Sequence, residues 1–490
     1  RTYQSWFGID ETTLKTNRTY NPAGENYDSD GNVIGFYEDQ VDNYNQDHYQ
    51  LHWEQGINAY WSLALGLNYT YGRGYYQELN DIWYDQNIGF SGNTSANYLQ
   101  LPQTDAVDTE NITQKWLDND FYVANLMAAF EKGTQKLNLG FSYSNYLGDH
   151  FGTLIWAQNA GGALPNHKFY ENKGEKTDTN VFAKLTHAVG RQWTVYTDIQ
   201  YRWIDYKANG MQAGQVPIDV NLNYGFFNPK AGVTFSMNPN HQLYFSVARA
   251  HKEPNRTDFE NGNPLPEELT DFELGWRHQK SNLQFIANAY FMDYTNQLVL
   301  TGAIDEVGAP IRTNSGSSYR LGVELELSWM MSEQWQWQSN LSLSENKNRD
   351  FFFKRDGELQ ALGDTSLSFS PGVIGGSQLS YSPTKDLTVG LFSKYVGEQY
   401  LGNIDSTLSK LAAYSTKDIN IEYTIAPSWC ESLQLQLLLN NVLDKEYTSN
   451  GYFYTYDDDW SNPGSITTIE GVGYYPQAGF HFLAGMTIRF

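Results

Sequence analysis

The sequence predicts an all-β chain that crosses a membrane as an antiparallel barrel, and three observations carry that prediction. First, the closing segment alternates: Phe480, Phe482, Ala484, Met486, Ile488 and Phe490 share one parity, while Gly479, His481, Gly485, Thr487 and Arg489 share the other with Leu483. A strand with one greasy and one wetter face has this period. Second, the same parity returns along the chain with charge confined to one side. Val195, Ile199, Tyr201 and Trp203 oppose Asp198, Gln200 and Arg202; Leu321, Val323, Leu325 and Leu327 oppose Glu324 and Glu326; Ile419, Ile421, Tyr423 and Ile425 oppose Asp418, Asn420 and Glu422. A basic residue at the lipid midplane costs roughly 2–4 kcal/mol and an acid somewhat less, so the charged face is assigned to the lumen. Third, short turns such as 56–59, 132–135, 238–241 and 382–385 alternate with long connections at 77–117, 151–176, 302–312, 349–367 and 448–473. Membrane barrels show this asymmetry, with short turns on one side and long loops on the other.

Bulk properties agree with a barrel around a wet lumen. The 490 residues are 40% hydrophobic and 16% aromatic with a negative mean hydropathy. That is too polar for a helical membrane protein and too aromatic for disorder. No stretch approaches the ~20 apolar residues of a spanning helix. Any span is therefore built of strands, which close on themselves because lipid offers an open edge no partner. A formal net charge of −24 argues against nucleic acid or anionic lipid as the main partner. The single Cys430 excludes an intramolecular disulfide and a cysteine-based metal cluster. Residues 1–6 show neither the basic nor the apolar region of a signal peptide, and no initiator Met, so the true N-terminus is expected upstream.

In chain order, residues 1–44 read as one long outer loop. Asp28-Ser-Asp30-Gly31-Asn32 inside it reads as a hairpin tip in preference to a calcium loop, because the downstream Glu sits at the wrong distance for an EF-hand. Strands are expected at 45–57, 59–76, 118–131, 135–150, 177–189, 191–207, 224–238, 241–253 and 267–279. They continue at 282–301, 313–332, 334–348, 368–382, 385–401, 410–426, 431–447 and 474–490. His48 and His52 have the spacing of a helical zinc pair, but on a strand positions i and i+4 lie ~13 Å apart. They are assigned with Gln50 and Glu54 to a polar lumen face. The run Leu437-Leu438-Leu439 breaks alternation and reads as a bulge, an inward-packed Leu438 or an ordinary buried strand. Trp61, Trp193, Trp329, Trp335 and Trp429 lie close to short turns and read as an interfacial girdle, with generic strand aromatics as the competing account. The count is about seventeen strands, whereas single-chain bacterial barrels have even numbers. Counting back from the last strand, which runs toward the short-turn side, places residues 1–44 on the long-loop side.

The motif Asn440-Asn-Val-Leu-Asp-Lys-Glu-Tyr447, followed by Tyr475-Pro476 and the terminal alternating strand, resembles the C-terminal signature of TonB-dependent outer-membrane receptors. Phe245-Ser-Val-Ala-Arg-Ala-His-Lys-Glu-Pro254, Asn263-Pro264-Leu-Pro-Glu-Glu268 and Glu273-Leu-Gly-Trp276 resemble the family's mid-barrel segment. The chain departs from the pattern at Gln477-Ala478-Gly479, where the family usually has a basic residue. The resemblance runs over essentially the whole chain, although its specific motifs occupy only about a tenth of it. It implies a barrel of roughly twenty-two strands. On that reading 1–490 is the C-terminal part of the barrel, 1–44 an extracellular loop and 45–490 wall strands and loops, with a plug domain and the first strands upstream. It further implies a Gram-negative outer-membrane location, import of a ferric siderophore, and coupling through the plug to the inner-membrane TonB complex. A haem importer is the alternative cargo; a passive porin, a surface adhesin and a soluble all-β binding protein are the other classes.

The sequence holds no His-Glu-x-x-His, Walker-type loop, Gly-x-Ser-x-Gly elbow or paired-cysteine zinc site. Neither an enzyme nor a resident cofactor is expected. Haem uptake needs an axial side chain on the outer loops, for which His150, His167 and His251 lie near loop bases. The loops are rich in aromatic residues: Trp83 with Tyr84, Phe151 with Trp156, Phe226 with Phe227, and Tyr452, Tyr454 and Trp460 around Asp457-Asp-Asp459, with Tyr20 in the first loop. Such groups suit a planar or aryl ligand or a surface partner; solvated or lipopolysaccharide-facing loops are the competing account. Arg18, Arg256, Arg320 and Lys394 are the candidates for a local basic funnel that would draw an anionic chelate through a negative field.

Overall fold

The computed structural model describes residues 1–5, 7–83, 94–102, 108–260, 262–304 and 310–490. Among the described residues, seventeen wall strands follow one another in a single antiparallel sheet. They are β1 Val41–Gly56, β2 Trp61–Asn80, β3 Asn111–Lys132, β4 Gln135–Ala157, β5 His167–Val189 and β6 Trp193–Met211. Then come β7 Pro217–Asn238, β8 His241–Lys252, β9 Glu267–Lys280, β10 Leu283–Thr295, β11 Ser317–Met330 and β12 Trp335–Arg355. The last five are β13 Val373–Tyr381, β14 Leu387–Val396, β15 Tyr414–Ile425, β16 Ser432–Asn440 and β17 His481–Arg489. Each pairs with the next in sequence. All seventeen fall where the alternation predicts them.

The register puts greasy residues in rows across strands. Leu65, Leu126, Phe141, Val181 and Tyr201 form one such row through β2 to β6. At the other end Leu433, Leu435, Leu437 and Leu439 face Ile488, Met486, Ala484 and Phe482. Phe482 is 62% and Met486 64% exposed, as side chains facing lipid must be. The Leu437-Leu438-Leu439 run contains no bulge: Leu438 sits in unbroken register opposite Leu483 on the inner face.

Two aromatic rows mark the membrane. At the short-turn end Trp61 meets Phe130, Trp193 meets Phe235 and Trp335 meets Tyr381, with ring centroids 4.4–5.0 Å apart. Trp329 pairs with Trp337, and Trp429 lies 6.5 Å from Phe490. Eight residues up β2, Tyr69 stacks on both Tyr49 and Tyr122. With a 3.3 Å rise and a tilt of about 40°, that row lies about 20 Å higher, close to the height of an apolar band. Four residues further on, Arg73, Asp118, Asp149 and Lys173 share one register row, where the wall has entered water.

Above the tyrosine row the wall overruns the sequence-based boundaries. β3 begins at Asn111, β4 reaches Ala157 and β5 begins at His167, so only residues 158–166 of the expected 151–176 loop lie outside strands. Interstrand pairing persists in water without needing a greasy face, and the alternation that revealed the lower strands is absent there. Other expected loops are hairpins: Leu298–Ile304 with Pro310–Asn314, the upper part of β12 with Glu358–Ser366, and Thr448–Asp458 with Thr467–Pro476. The strand expected to reach 447 stops at Asn440, because Asn441 and Asp444 adopt φ of 48°. Asn441 closes that turn, accepting from Lys445 N at 3.0 Å and donating to Lys445 O at 2.9 Å. Asp444 Oδ1 accepts from Phe480 N at 2.7 Å and so seats the start of β17.

The described residues among 1–40 also form more than a plain loop. Thr2–Tyr3 pairs with Val41–Asp42 on the side of β1 away from β2. Asp10 caps helix α1, Glu11–Thr16, by accepting from Thr12 N and Thr13 N. Glu25–Tyr27 and Val33–Phe36 form a hairpin whose tip is held by Asp28 Oδ1, which accepts from Asp30 N and Asn32 N. Below Asp42, β1 has register partners only in β2, and β17 has them only in β16, among the described residues. Neither edge strand has a pairing with the other among the described residues.

The face assignment makes a direct test possible with two neighbouring residues of β16. We expect Leu437→Arg to lower barrel stability by about 2–4 kcal/mol and Gln436→Arg, on the lumen side, by less than about 1 kcal/mol. Denaturant unfolding of the protein refolded in lipid vesicles measures both.

Candidate ligand-binding mouth

Outer segments fold over the end of the lumen in three places. In the first, the short helix α2, Ser95–Tyr98, is capped by Thr94 and brings Leu99 into full burial against Tyr98, Leu154 and Phe169. His167 fastens it: Nε2 lies 3.0 Å from Leu99 O and 3.1 Å from Gln100 O, and two carbonyl acceptors assign the proton to that nitrogen. Gln215 adds a bond to Phe169 O at 2.6 Å.

The second lies where the chain leaves β8. Glu253, 9% exposed, turns inward to meet Lys176 Nζ at 2.5 Å and Arg202 Nη2 at 3.3 Å, while Arg202 also reaches Asp178 at 2.5 Å. Burial raises the Glu253 carboxyl, but the hydrogen bond from Lys176 and the nearby cations outweigh it and hold the pKa below the usual glutamate value. Helix α3, Arg256–Glu260, follows, and its Asp258 accepts two bonds from Arg312, at 3.0 and 2.6 Å. Phe226, only 5% exposed, lies flat on His251 at 5.2 Å. His251 Nδ1 is 2.8 Å from Asn228 Oδ1 and its Nε2 is 3.6 Å from Glu268. The mid-barrel motif is thus a set of ties between wall and loops.

The third is the hairpin 448–476. Tyr452, Tyr454, Tyr456 and Trp460 run in file along it, with successive centroids 6.2, 6.4 and 5.8 Å apart and planes within 22° of parallel. Opposite them stand Gly473, paired with Tyr452, and Gly471, paired with Tyr454. A Cβ on either glycine would sit 2.2 or 2.3 Å from a tyrosine Cζ, so the rings occupy space that only glycine leaves free. Tyr454 and Tyr456 are each 43% exposed and Trp460 is 63% exposed. Beside the file lies a cavity of about 850 Å³ lined by Phe351, Phe353, Arg349, Lys354, Asn403 and Tyr454. Arg355 to Glu470 at 2.6 Å and reciprocal bonds of 2.8 Å between Asp356 and Thr468 tie its two walls together. This arrangement offers stacking surface and positive charge to one ligand.

Of the residues proposed from sequence, the structure brings together Tyr452, Tyr454 and Trp460. The others are dispersed. Arg18 donates to Tyr447 O at 3.0 Å and is a tie between segments. Tyr20 bonds Glu25 and meets Phe36 edge-on at 6.2 Å; burial first, and then Glu25, push its hydroxyl up to about 12. Trp83 stacks on Tyr27 at 5.0 Å beneath Gly31, where φ is +82° and a Cβ would meet the indole at 2.3 Å. Tyr84 lies outside the described residues. Trp156 is 45% exposed near the upper end of β4. Phe226 is buried under His251, and Arg256 lies near Tyr146 and His150. The expected basic funnel does not assemble: Arg320 donates to Ser370, while Lys394 lines a separate hollow with Glu326 and Asp418 low on the inner wall. Arg349 and Lys354 take that position at the mouth. The run Phe351-Phe-Phe-Lys-Arg355 inside an expected loop was the available signal for them.

Residues 2–442 match the family model described as TonB dependent receptor-like, beta-barrel. The chain belongs to this family of TonB-dependent receptors. A curated relative, the catecholate siderophore receptor Fiu of Escherichia coli K12, is 21% identical over 255 residues, which cover 48% of this chain and 32% of Fiu. The matched stretch therefore spans about a third of that relative's length. Among solved structures, the closed form of the ferric-catecholate import receptor Fiu from E. coli K12 superposes with a TM-score of 0.65 at 15% identity, covering 99% of this chain and 70% of Fiu. The siderophore receptor PiuA from Acinetobacter baumannii gives 0.64 at 16% identity, covering 99% and 69%. These likenesses establish the barrel fold. The TonB-dependent receptor is an integral outer-membrane protein.

The Glu253 tie gives a pH signature. A carboxyl with a depressed folded-state pKa contributes stability above its unfolded value, about 4.3, and that contribution fades as pH falls through the folded value. We expect amides in 253–260 to be strongly protected at neutral pH and, measured against the intrinsic exchange rate at each pH, to lose that protection below about pH 4. In Glu253→Gln, fast exchange at neutral pH and a flattened pH dependence would be measured by mass spectrometry.

Proposed function

We propose that this chain forms the greater part of the barrel of an active transporter that imports a ferric siderophore. The observation that carries the proposal is the exposed file of Tyr454, Tyr456 and Trp460 beside a cavity lined by Arg349 and Lys354. Aryl or planar anionic chelates match both halves of that surface, the rings by stacking and the cations by charge. The relatives Fiu and PiuA are siderophore receptors by name, which supports the same cargo class. Haem is the weaker alternative, because His167 Nε2 is engaged by two carbonyl oxygens and both ring nitrogens of His251 face amide and carboxylate oxygens, which leaves His150 as the candidate axial ligand.

The proposal includes segments outside this sequence. Strands of the same polypeptide would pair with the free sides of β1 and β17, since an edge left in lipid costs several kcal/mol for each unsatisfied backbone group. Thr2–Tyr3 already occupies the top of the β1 edge in antiparallel register. A plug in the lumen, pulled by the TonB complex, would release the bound chelate inward.

Binding and uptake by the full-length protein, compared across ferric catecholates, haem, cobalamin and oligosaccharides, test this reading. We expect saturable ferric-siderophore binding, uptake that stops when the proton-motive force is collapsed, and roughly tenfold weaker binding in Tyr454→Ala with Trp460→Ala. Haem binding abolished by His150→Ala, with no siderophore uptake, would replace the cargo. Binding without any energy dependence would leave a passive pore or adhesin.

A further inference from the structure

Residues 4–5 and 7–18 cross between the two ends of the sheet. At one end Gln4 is 1% exposed and fixed to β1 and β2: its N–H donates to Gln40 O at 2.9 Å and its Nε2 donates to Val41 O at 3.2 Å and Gln77 O at 3.0 Å. Asn21 Nδ2 donates to Gln4 O at 2.7 Å from the other side. At the far end Ile9, 5% exposed, exchanges both backbone bonds with Tyr474, at 3.0 and 2.8 Å. This adds a rung to the edge of the aromatic hairpin, on the strand opposite the ring file. Arg18 completes the crossing on Tyr447 O, at the hairpin's base. Between these anchors the backbone at Gly8 comes so close to the hairpin that a Cβ there would lie 2.7 Å from the Tyr452 ring and 2.9 Å from both Gly473 C and Tyr474 N. Two of those three neighbours are backbone and cannot swing away.

We infer that the segment from Phe7 to Arg18, anchored through Gln4, is a strap that positions the aromatic file, with Gly8 and Ile9 as positioning residues that set the hairpin's place over the mouth without touching the cargo. The hairpin leaves the wall after β16 and returns at β17, so its base hangs from one end of the sheet. The strap anchors it to the other end. The Ile9–Tyr474 pairing is an isolated rung outside any strand, so it depends on the close approach that glycine at position 8 permits. The consequence for cargo affinity rests on the import reading above; the consequence for hairpin order does not.

The test compares the full-length wild type with Gly8→Val and Gly8→Ala by hydrogen exchange across 448–476, with heat-modifiable gel migration as the check that the barrel has formed. We expect Gly8→Val to speed exchange at Tyr474 and through the hairpin at least tenfold while exchange in β2 to β6 is unchanged. Gly8→Ala, with less bulk, falls between the two. Crossing Ile9→Cys with Tyr474→Cys in the Gly8→Val background and oxidising the pair should restore slow exchange, which a general loss of stability would not. Unchanged hairpin exchange in Gly8→Val overturns the strap. Ferric-catecholate titration of the same samples then separates the two readings. Weaker binding in Gly8→Val that recovers on oxidation links the strap to cargo; faster exchange with wild-type affinity overturns that link. No binding by the wild type defeats the import reading alone, since exchange still decides the strap.

Discussion

A backbone amide in hydrocarbon has no water to turn to, and that constraint governs the whole chain. Each unsatisfied N–H or C=O in lipid costs several kcal/mol, so every wall strand must have a partner on both sides over the apolar band. β2 to β16 meet this within the sequence. Parity follows from the same constraint, because a closed pleated wall exposes alternate side chains to lipid and lumen. Turn length follows too: at the tryptophan row the chain needs only to reverse, and it does so in a few residues. The constraint ends above the tyrosine row. There β4, at 23 residues, is about twice the length a spanning strand requires, and pairing is held by the register inherited from below.

That division explains what could be read from sequence. In lipid the solvent writes its requirement on every second residue, and the seventeen strands were legible almost to their lower ends. Above the band, alternation disappears while pairing continues. Asn111 to Trp116 in β3 and His167 to Lys173 in β5 therefore looked like loop. Leu438 shows a finer limit, since a run of three leucines fits a bulge or an inward residue equally, and only the opposed Leu483 decides. The Asn440 to Tyr447 motif was recognisable as a signature, but its work was not. It ends one wall strand and, through Asp444, seats the start of the next wall strand at Phe480, 36 residues later.

The mouth was legible in part, for a related reason. Tyr452, Tyr454 and Trp460 lie close in sequence, so local spacing already places them together. Arg349 and Lys354 reach the same cavity from another hairpin, and no local pattern encodes that meeting. Arg18, His167 and Phe226 carried the right chemistry for ligands, yet each is taken up by a tie: to Tyr447 O, to Leu99 O and to the His251 ring. Polar or aromatic character near a loop base identifies a residue with something to bond. It does not distinguish a ligand from the protein's own backbone.

The acidity of the chain sharpens this. With 56 acidic and 32 basic residues, cations are scarce, and several are committed to holding loops in place. Asp258 has a side chain only 1% exposed against Arg312, and Glu253 is 9% exposed between Lys176 and Arg202. Removing the cation from such a pair strands a buried charge, at about 3–5 kcal/mol, so these bases are not free to greet an anion. Lys354 stands differently: it is 60% exposed and 3.4 Å from Asp457, a geometry worth little in water. Arg349 is 33% exposed, paired to a half-exposed Asp293 and lying 4.9 Å over the Tyr319 ring. An incoming anion competes with weak exposed pairs at these two positions and with strong buried ones elsewhere. In a field this negative, Arg349 and Lys354 beside the aromatic file are therefore where an anionic ligand of the proposed kind would be held with the least disturbance to the loops.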